Sequence, residues 1–131
     1  MSQALRLAIT LSFMAVMLGL SIVPGEAQDS DSFFIWAVAA TPTLLQKTLH
    51  VLFYAVLTVL WAWTLEVMQS VYLRLAVAVC VAIGFGILME WAQIYIPGRF
   101  GALGDVLLNA LGAFLGLGLA VLLGSASLRR A

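Results

Sequence analysis

From Val106 to Leu128 the chain runs 23 residues without a charged side chain. A helix needs about 20 mostly apolar residues to cross the roughly 30 Å hydrocarbon core of a bilayer. In lipid, every backbone polar group must be satisfied internally, which leaves helix as the conformation for a single such run. Leu7 to Val23 is another charge-free run, of 17 residues. Thr48 to Leu65 is interrupted only by His50, and a further apolar run lies between Arg74 and Glu90. The rest of the chain does not dilute this pattern. Of 131 residues, 64% are hydrophobic and 9% charged, whereas a soluble domain carries about 25% charged residues. So few charges cannot cover a water-facing surface. The chain therefore reads as an all-α membrane protein. It is expected to be one domain over 1–131, a compact bundle of four transmembrane helices at about 5–23, 48–66, 73–94 and 104–124.

The run before Glu90 carries information because it is short. Only 15 residues, Leu75 to Met89, separate Arg74 from Glu90. At about 1.5 Å per residue they fall short of the core thickness. Arg74 can snorkel on its long stem, but Glu90 is shorter and is expected inside the last turns of the helix. Pro97-Gly98 then ends the helix and supplies a turn. After the first run comes an acidic loop containing Glu26, Asp29 and Asp31. It is followed by an apolar stretch, Phe33 to Ala40, too short to span and expected along the interface. Gly25-Glu26-Ala27 has the small-x-small pattern of a cleavage site, yet the run before it is long for a signal peptide, so a retained helix is expected.

Charge sets the orientation. With the N-terminus inside, the inner ends carry Arg6, Arg74, Arg129 and Arg130, and the outer ends Lys47 and Arg99. This follows the positive-inside rule, with both termini cytoplasmic and the protein multi-pass. Lys47, His50, Glu90, Gln93, Arg99, Asp105 and Asn109 then all fall at the outer level. Their spacing also agrees. Lys47, His50 and Tyr54 follow i, i+3, i+7; Glu90 and Gln93 follow i, i+3; Asp105, Asn109, Gly112 and Gly116 follow i, i+4, i+7, i+11. Gly112 and Gly116 form a GxxxG, which allows close helix packing and would turn Asp105 and Asn109 into the bundle. A carboxylate facing hydrocarbon instead costs about 2.5–3.5 kcal/mol on insertion scales.

These residues carry a resemblance. "KTLHVLFYAVLTVL" with "EWAQIYIPGRFGALGDVLLNALGAFLG" resembles the VanZ-like family of small bacterial membrane proteins. The family pattern, roughly D-K-x-x-H-x-x-x-Y, E-x-x-Q, a Pro/Arg loop and D-x-x-x-N-x-x-G-x-x-x-G, falls here on Lys47, His50 and Tyr54, then Glu90 and Gln93, then Pro97 and Arg99, then Asp105, Asn109, Gly112 and Gly116. Two positions depart from it: Gln46 stands where an acidic residue is usual, and Ala102 where a small hydroxyl residue is frequent. The resemblance implies a multi-pass membrane protein. The name-giving member is linked to resistance to the glycopeptide teicoplanin.

Two readings of the polar set follow. In the first, it lines an outward-facing pocket for an anionic envelope lipid or lipid-linked glycan precursor. Lys47, Tyr54, Gln93, Arg99 and Asn109 would bind, with Arg99 gripping phosphate bidentately. His50, Glu90 and Asp105 would be the candidate catalytic acid–base groups. In the second, the protein is a non-enzymatic assembly or partner protein, and Lys47, Arg99, Glu90 and Asp105 neutralise one another to lock the helices. A proton relay is disfavoured, because the inner halves of the helices carry no intramembrane ionisable group. No partnered nucleophile is visible for covalent catalysis, so whether the chain is an enzyme stays open. The chain's one His and one Cys, thirty positions apart, make a poor zinc site, so neither metal nor cofactor is expected. Zero net charge gives a nucleic-acid partner no electrostatic footprint. The bilayer is the expected partner, and a homo-oligomer is allowed.

Overall fold

A computed structural model of the chain describes residues 1–26 and 32–128, with side chains described as far as Gly124. Asp29, Asp31, Arg129 and Arg130, used above for orientation, lie outside the described residues. The described elements are helices α1 (Gln3–Ser21), α2 (Phe33–Ala39), α3 (Thr43–Thr64), α4 (Val71–Gln93) and α5 (Leu103–Leu128), with a 3₁₀ turn at Leu65–Val67. Four of them are long and apolar enough to cross a membrane: Gln3–Ser21, Thr43–Val67, Val71–Gln93 and Leu103–Gly124.

Local chemistry explains where the helices start. Ser2, Ser32 and Ser70 cap α1, α2 and α4, each accepting a hydrogen bond from a backbone N–H three residues on. Such caps satisfy donors that a helix N-terminus leaves orphaned. α3 begins at Thr43, five residues before the expected boundary. The expected start was tied to the end of the polar stretch, but Lys and Gln are good helix formers. The true boundary is Pro42, whose extended backbone precedes the helix. α5 runs to Leu128 rather than 124. The short stretch expected along the interface forms a helix, α2, with Phe33 and Trp36 exposed and stacked on each other.

α5 packs along α3, and the reason is the GxxxG. A Cβ on Gly112 would come within 2.3 Å of the Val51 carbonyl oxygen, and one on Gly116 within 2.3 Å of that of Ala55. Only hydrogen in place of a side chain permits this approach. Tyr54, Leu57, Ala82 and Ala113 fill the centre together with Met17 of α1. Most large apolar side chains point outward, including Leu52, Ile87, Leu107 and Leu122. In water such a surface would aggregate; in lipid it is the expected exterior.

The helices alternate, so the start of α1 meets the end of α3. At this end Arg6 donates to the Trp63 carbonyl, pairs with Glu66 and lies over the Trp63 ring. Thr10 and Thr64, both buried, share a 2.7 Å hydrogen bond. Leu123 and Gly124 of α5 line a cavity here with Glu66 and Arg74. The starts of α1 and α4 and the ends of α3 and α5 therefore gather at one end, and His50, Gln93, Arg99 and Asp105 gather at the other.

Candidate functional site

The second end is shaped by the α4–α5 turn. Gly98 adopts φ of 70°, a conformation that favours glycine. The chain leaving α1 lies against this turn, where the Gly25 N–H donates to the Pro97 carbonyl at 3.0 Å. Arg99 is thereby turned inward, and its Nε donates to the Val23 carbonyl at 3.0 Å. Burial lowers the pKa of its guanidinium, and the Glu90 carboxylate pulls it back up.

Glu90 sits in the last turn of α4 and is 5% exposed. Its Oε2 accepts from the Ala102 N–H at 3.3 Å, and its Oε1 is buried without a hydrogen-bond partner. Oε1 lies 3.9 Å from His50 Nδ1. That same nitrogen is 2.7 Å from Asn109 Oδ1. Asn109 is 1% exposed, and its Nδ2 has no partner. Gln93, also buried, donates to Ser21 Oγ at 2.7 Å. Asp105 stands in the first turn of α5, half-buried, its carboxylate close to the other two groups. Ligand-type atoms of His50, Glu90 and Asp105 all lie within 4.8 Å of one another. Such a trio has the donor types of a metal site, which the one-His, one-Cys count did not suggest. The three residues are far apart in sequence, and three separate helices bring them together.

Two cavities meet here. One, of about 160 Å³, runs between α1, α3 and α4 and is lined largely by apolar groups, among them Met17, Leu20, Phe53 and Met89. The other, of about 220 Å³, is mostly polar and reaches Asp105 and the Gly98 turn. Val38, Gln46, His50, Gln93 and Arg99 line both, so the two lobes adjoin across a shared wall. Tyr54, 3% exposed, lines the apolar lobe.

Lys47 does not take part. It lies exposed on α3 and lines neither lobe. The i, i+3, i+7 stripe put it at the edge of the inward face, and Gln46, four residues before His50, occupies that face instead. Gln46 was noticed only as a departure from the family pattern. The acid usual at its position was the available sign that the position faces inward. The expected mutual neutralisation is also not the arrangement found. Among the described residues neither Lys47 nor Arg99 pairs with Glu90 or Asp105, and the ion pairs are Arg6–Glu66 and His50–Glu90. Ser21, Val38 and Thr41 had no pattern to reveal them, because they join the site through the packing of α1 and the α2 segment.

Four apolar spans gathered in one bundle, with polar groups collected at their ends, define a multi-pass membrane protein. The VanZ/LLP1 family model matches residues 6–124, and the chain belongs to that family. No curated protein and no solved structure matches it.

Proposed function

We propose that the two-lobed cavity binds an anionic envelope lipid or lipid-linked glycan precursor, with the headgroup in the polar lobe and the start of the chain in the apolar one. The observation that carries this reading is the shared wall. Val38, Gln46, His50, Gln93 and Arg99 border both a polar and an apolar space, and an amphiphile is the ligand class that satisfies both at once. Arg99 is the cation at the junction. Its Nε is held by the Val23 carbonyl, which leaves the rest of its planar fork for phosphate or carboxylate. Gln46 and Gln93 add neutral donors. The placement of Arg6 and Arg74 at the opposite end supports an outward-facing cavity in a bacterial inner membrane.

The test is native mass spectrometry of the protein released from bacterial membranes, comparing wild type with Arg99→Ala. Wild type is expected to retain an anionic lipid adduct, and Arg99→Ala to lose it while remaining monodisperse. Equal retention by a folded Arg99→Ala protein, or no adduct on wild type, overturns the reading.

A further inference from the structure

We infer that His50, Glu90 and Asp105 form a binding site for one divalent cation of the Mn²⁺ or Zn²⁺ kind, set beneath the polar lobe. Three independent observations lead there. The first is distance. One ligand atom from each residue lies within 4.8 Å of the other two. Ligands sit about 2.0–2.6 Å from a bound ion, so pairs across it lie up to about 5 Å apart.

The second is an open valence. Glu90 is 5% exposed; its Oε1 makes no hydrogen bond of normal length, lies 3.9 Å from His50 Nδ1, and has the neutral Asn109 amide as its other polar neighbour. Buried charges are normally paired or bound to metal. An orphaned carboxylate oxygen beside an imidazole and a second carboxylate is what a cation would satisfy.

The third is charge. Glu90 and Asp105 bring two carboxyl groups to this end, and neither forms an ion pair with Arg99 or Lys47 among the described residues. Among the described residues the imidazole is the only cation-capable partner within 4.0 Å of Glu90. A dipositive ion supplies the balance that the side chains do not.

The donor set selects the class of ion. Carboxylate oxygens suit Mg²⁺, Ca²⁺ and Mn²⁺, while imidazole suits Zn²⁺ and its neighbours. Two carboxylates with one imidazole lie between, which favours Mn²⁺ or Zn²⁺. Asn109 Oδ1 lies 2.7 Å from His50 Nδ1; an Nδ1–H donated to it orients the ring and leaves Nε2 as the nitrogen for the ion. The site rests on the geometry of the trio, whether or not a lipid binds. Where a lipid does bind, the ion would offset the two carboxylates that an anionic headgroup would otherwise meet.

The experiment uses the full chain, delipidated in a neutral detergent, with any affinity tag removed and bound metal stripped by chelator. Mn²⁺ is titrated and followed by electron paramagnetic resonance. One ion per chain is expected, with pulsed spectra showing coupling to one imidazole nitrogen. The chain has a single histidine, so that signal identifies His50 without a variant. Asp105→Asn and Glu90→Gln are expected to weaken binding at least tenfold, and Cys80→Ala, exposed and remote, not at all. Zn²⁺ should displace the Mn²⁺. Failure of the delipidated wild type to bind Mn²⁺, bound Mn²⁺ without nitrogen coupling, or unchanged affinity in folded Asp105→Asn each overturns the site. Mn²⁺ that binds only with added anionic lipid is the lipid's counter-ion and also overturns it. Loss of the lipid adduct with Mn²⁺ binding intact breaks the lipid reading alone.

Discussion

At one end of the bundle, Arg6 meets a carbonyl, a carboxylate and an indole ring, and Thr10 and Thr64 hydrogen-bond each other. At the other end, Glu90 Oε1 and Asn109 Nδ2 are buried and unmatched, and Arg99 spends one nitrogen on a carbonyl. Both ends draw on the same small stock of polar residues. At the first, the Arg6 cluster joins α1 to α3 with its valences closed, although Arg74 Nε nearby is unpartnered. At the second, two carboxyl groups, an imidazole and a guanidinium surround a space, with His50–Glu90 at 3.9 Å the one ion-pair contact among them in the described residues. A purely structural cluster would be expected to look like the first. Under the proposed reading, the difference separates a clamp from a receptor.

Four substitutions break or sharpen this contrast. The largest effect is expected from Gly116→Leu, which damages both ends alike. The Ala55 carbonyl oxygen stands 2.3 Å from where a Cβ would sit, so α5 must leave α3, at about 3 kcal/mol or more. Detergent-resistance melting and size-exclusion chromatography should show loss of the folded monodisperse species. Next comes Arg99→Ala, which should weaken retention of anionic lipid roughly tenfold, about 1.4 kcal/mol, with a melting temperature near that of wild type. A large drop in melting temperature would move Arg99 to the clamp class. Thr64→Val should do the reverse. It removes the buried partner of Thr10 and should lower stability by about 1 kcal/mol, leaving lipid retention and Mn²⁺ affinity unchanged. The smallest effect belongs to Lys47→Ala, within about 0.5 kcal/mol in stability and without change in lipid retention. A clear loss of retention there would restore Lys47 to the site.

Much of this was legible without coordinates, and the reasons are specific. The spans could be read because lipid tolerates few charges, so each charged residue marks a boundary or a buried position. The short run before Glu90 placed that carboxylate inside the bundle on length alone. The i, i+4, i+7, i+11 pattern put Asp105 and Asn109 on the same face as Gly112 and Gly116. The misreadings share a cause. Lys47 and Gln46 are adjacent and about 100° apart around α3, and charge suggested the wrong one of the two. The true start of α3 was missed because the polar residues before His50 looked like a boundary, while the helix began at Pro42. The His and Cys count argues against a zinc site, whereas His50, Glu90 and Asp105, which the helix stripes already bring to one level, offer two carboxyl groups and one imidazole from three helices.

The sequence by itself determined that this chain lives in a membrane, how many times it can cross, and which residues are too polar to face lipid. Hydrophobicity and helical period are local properties, and a window of about 20 residues contains them. Only the tertiary structure decided that His50, Glu90 and Asp105 meet within 4.8 Å, that Arg99 does not neutralise them, and that Ser21 and Val38 complete the cavity wall. Those facts depend on how α1, α3, α4 and α5 rotate and slide against one another. That packing is governed by close contacts such as Gly112 on Val51, which join positions distant in the chain.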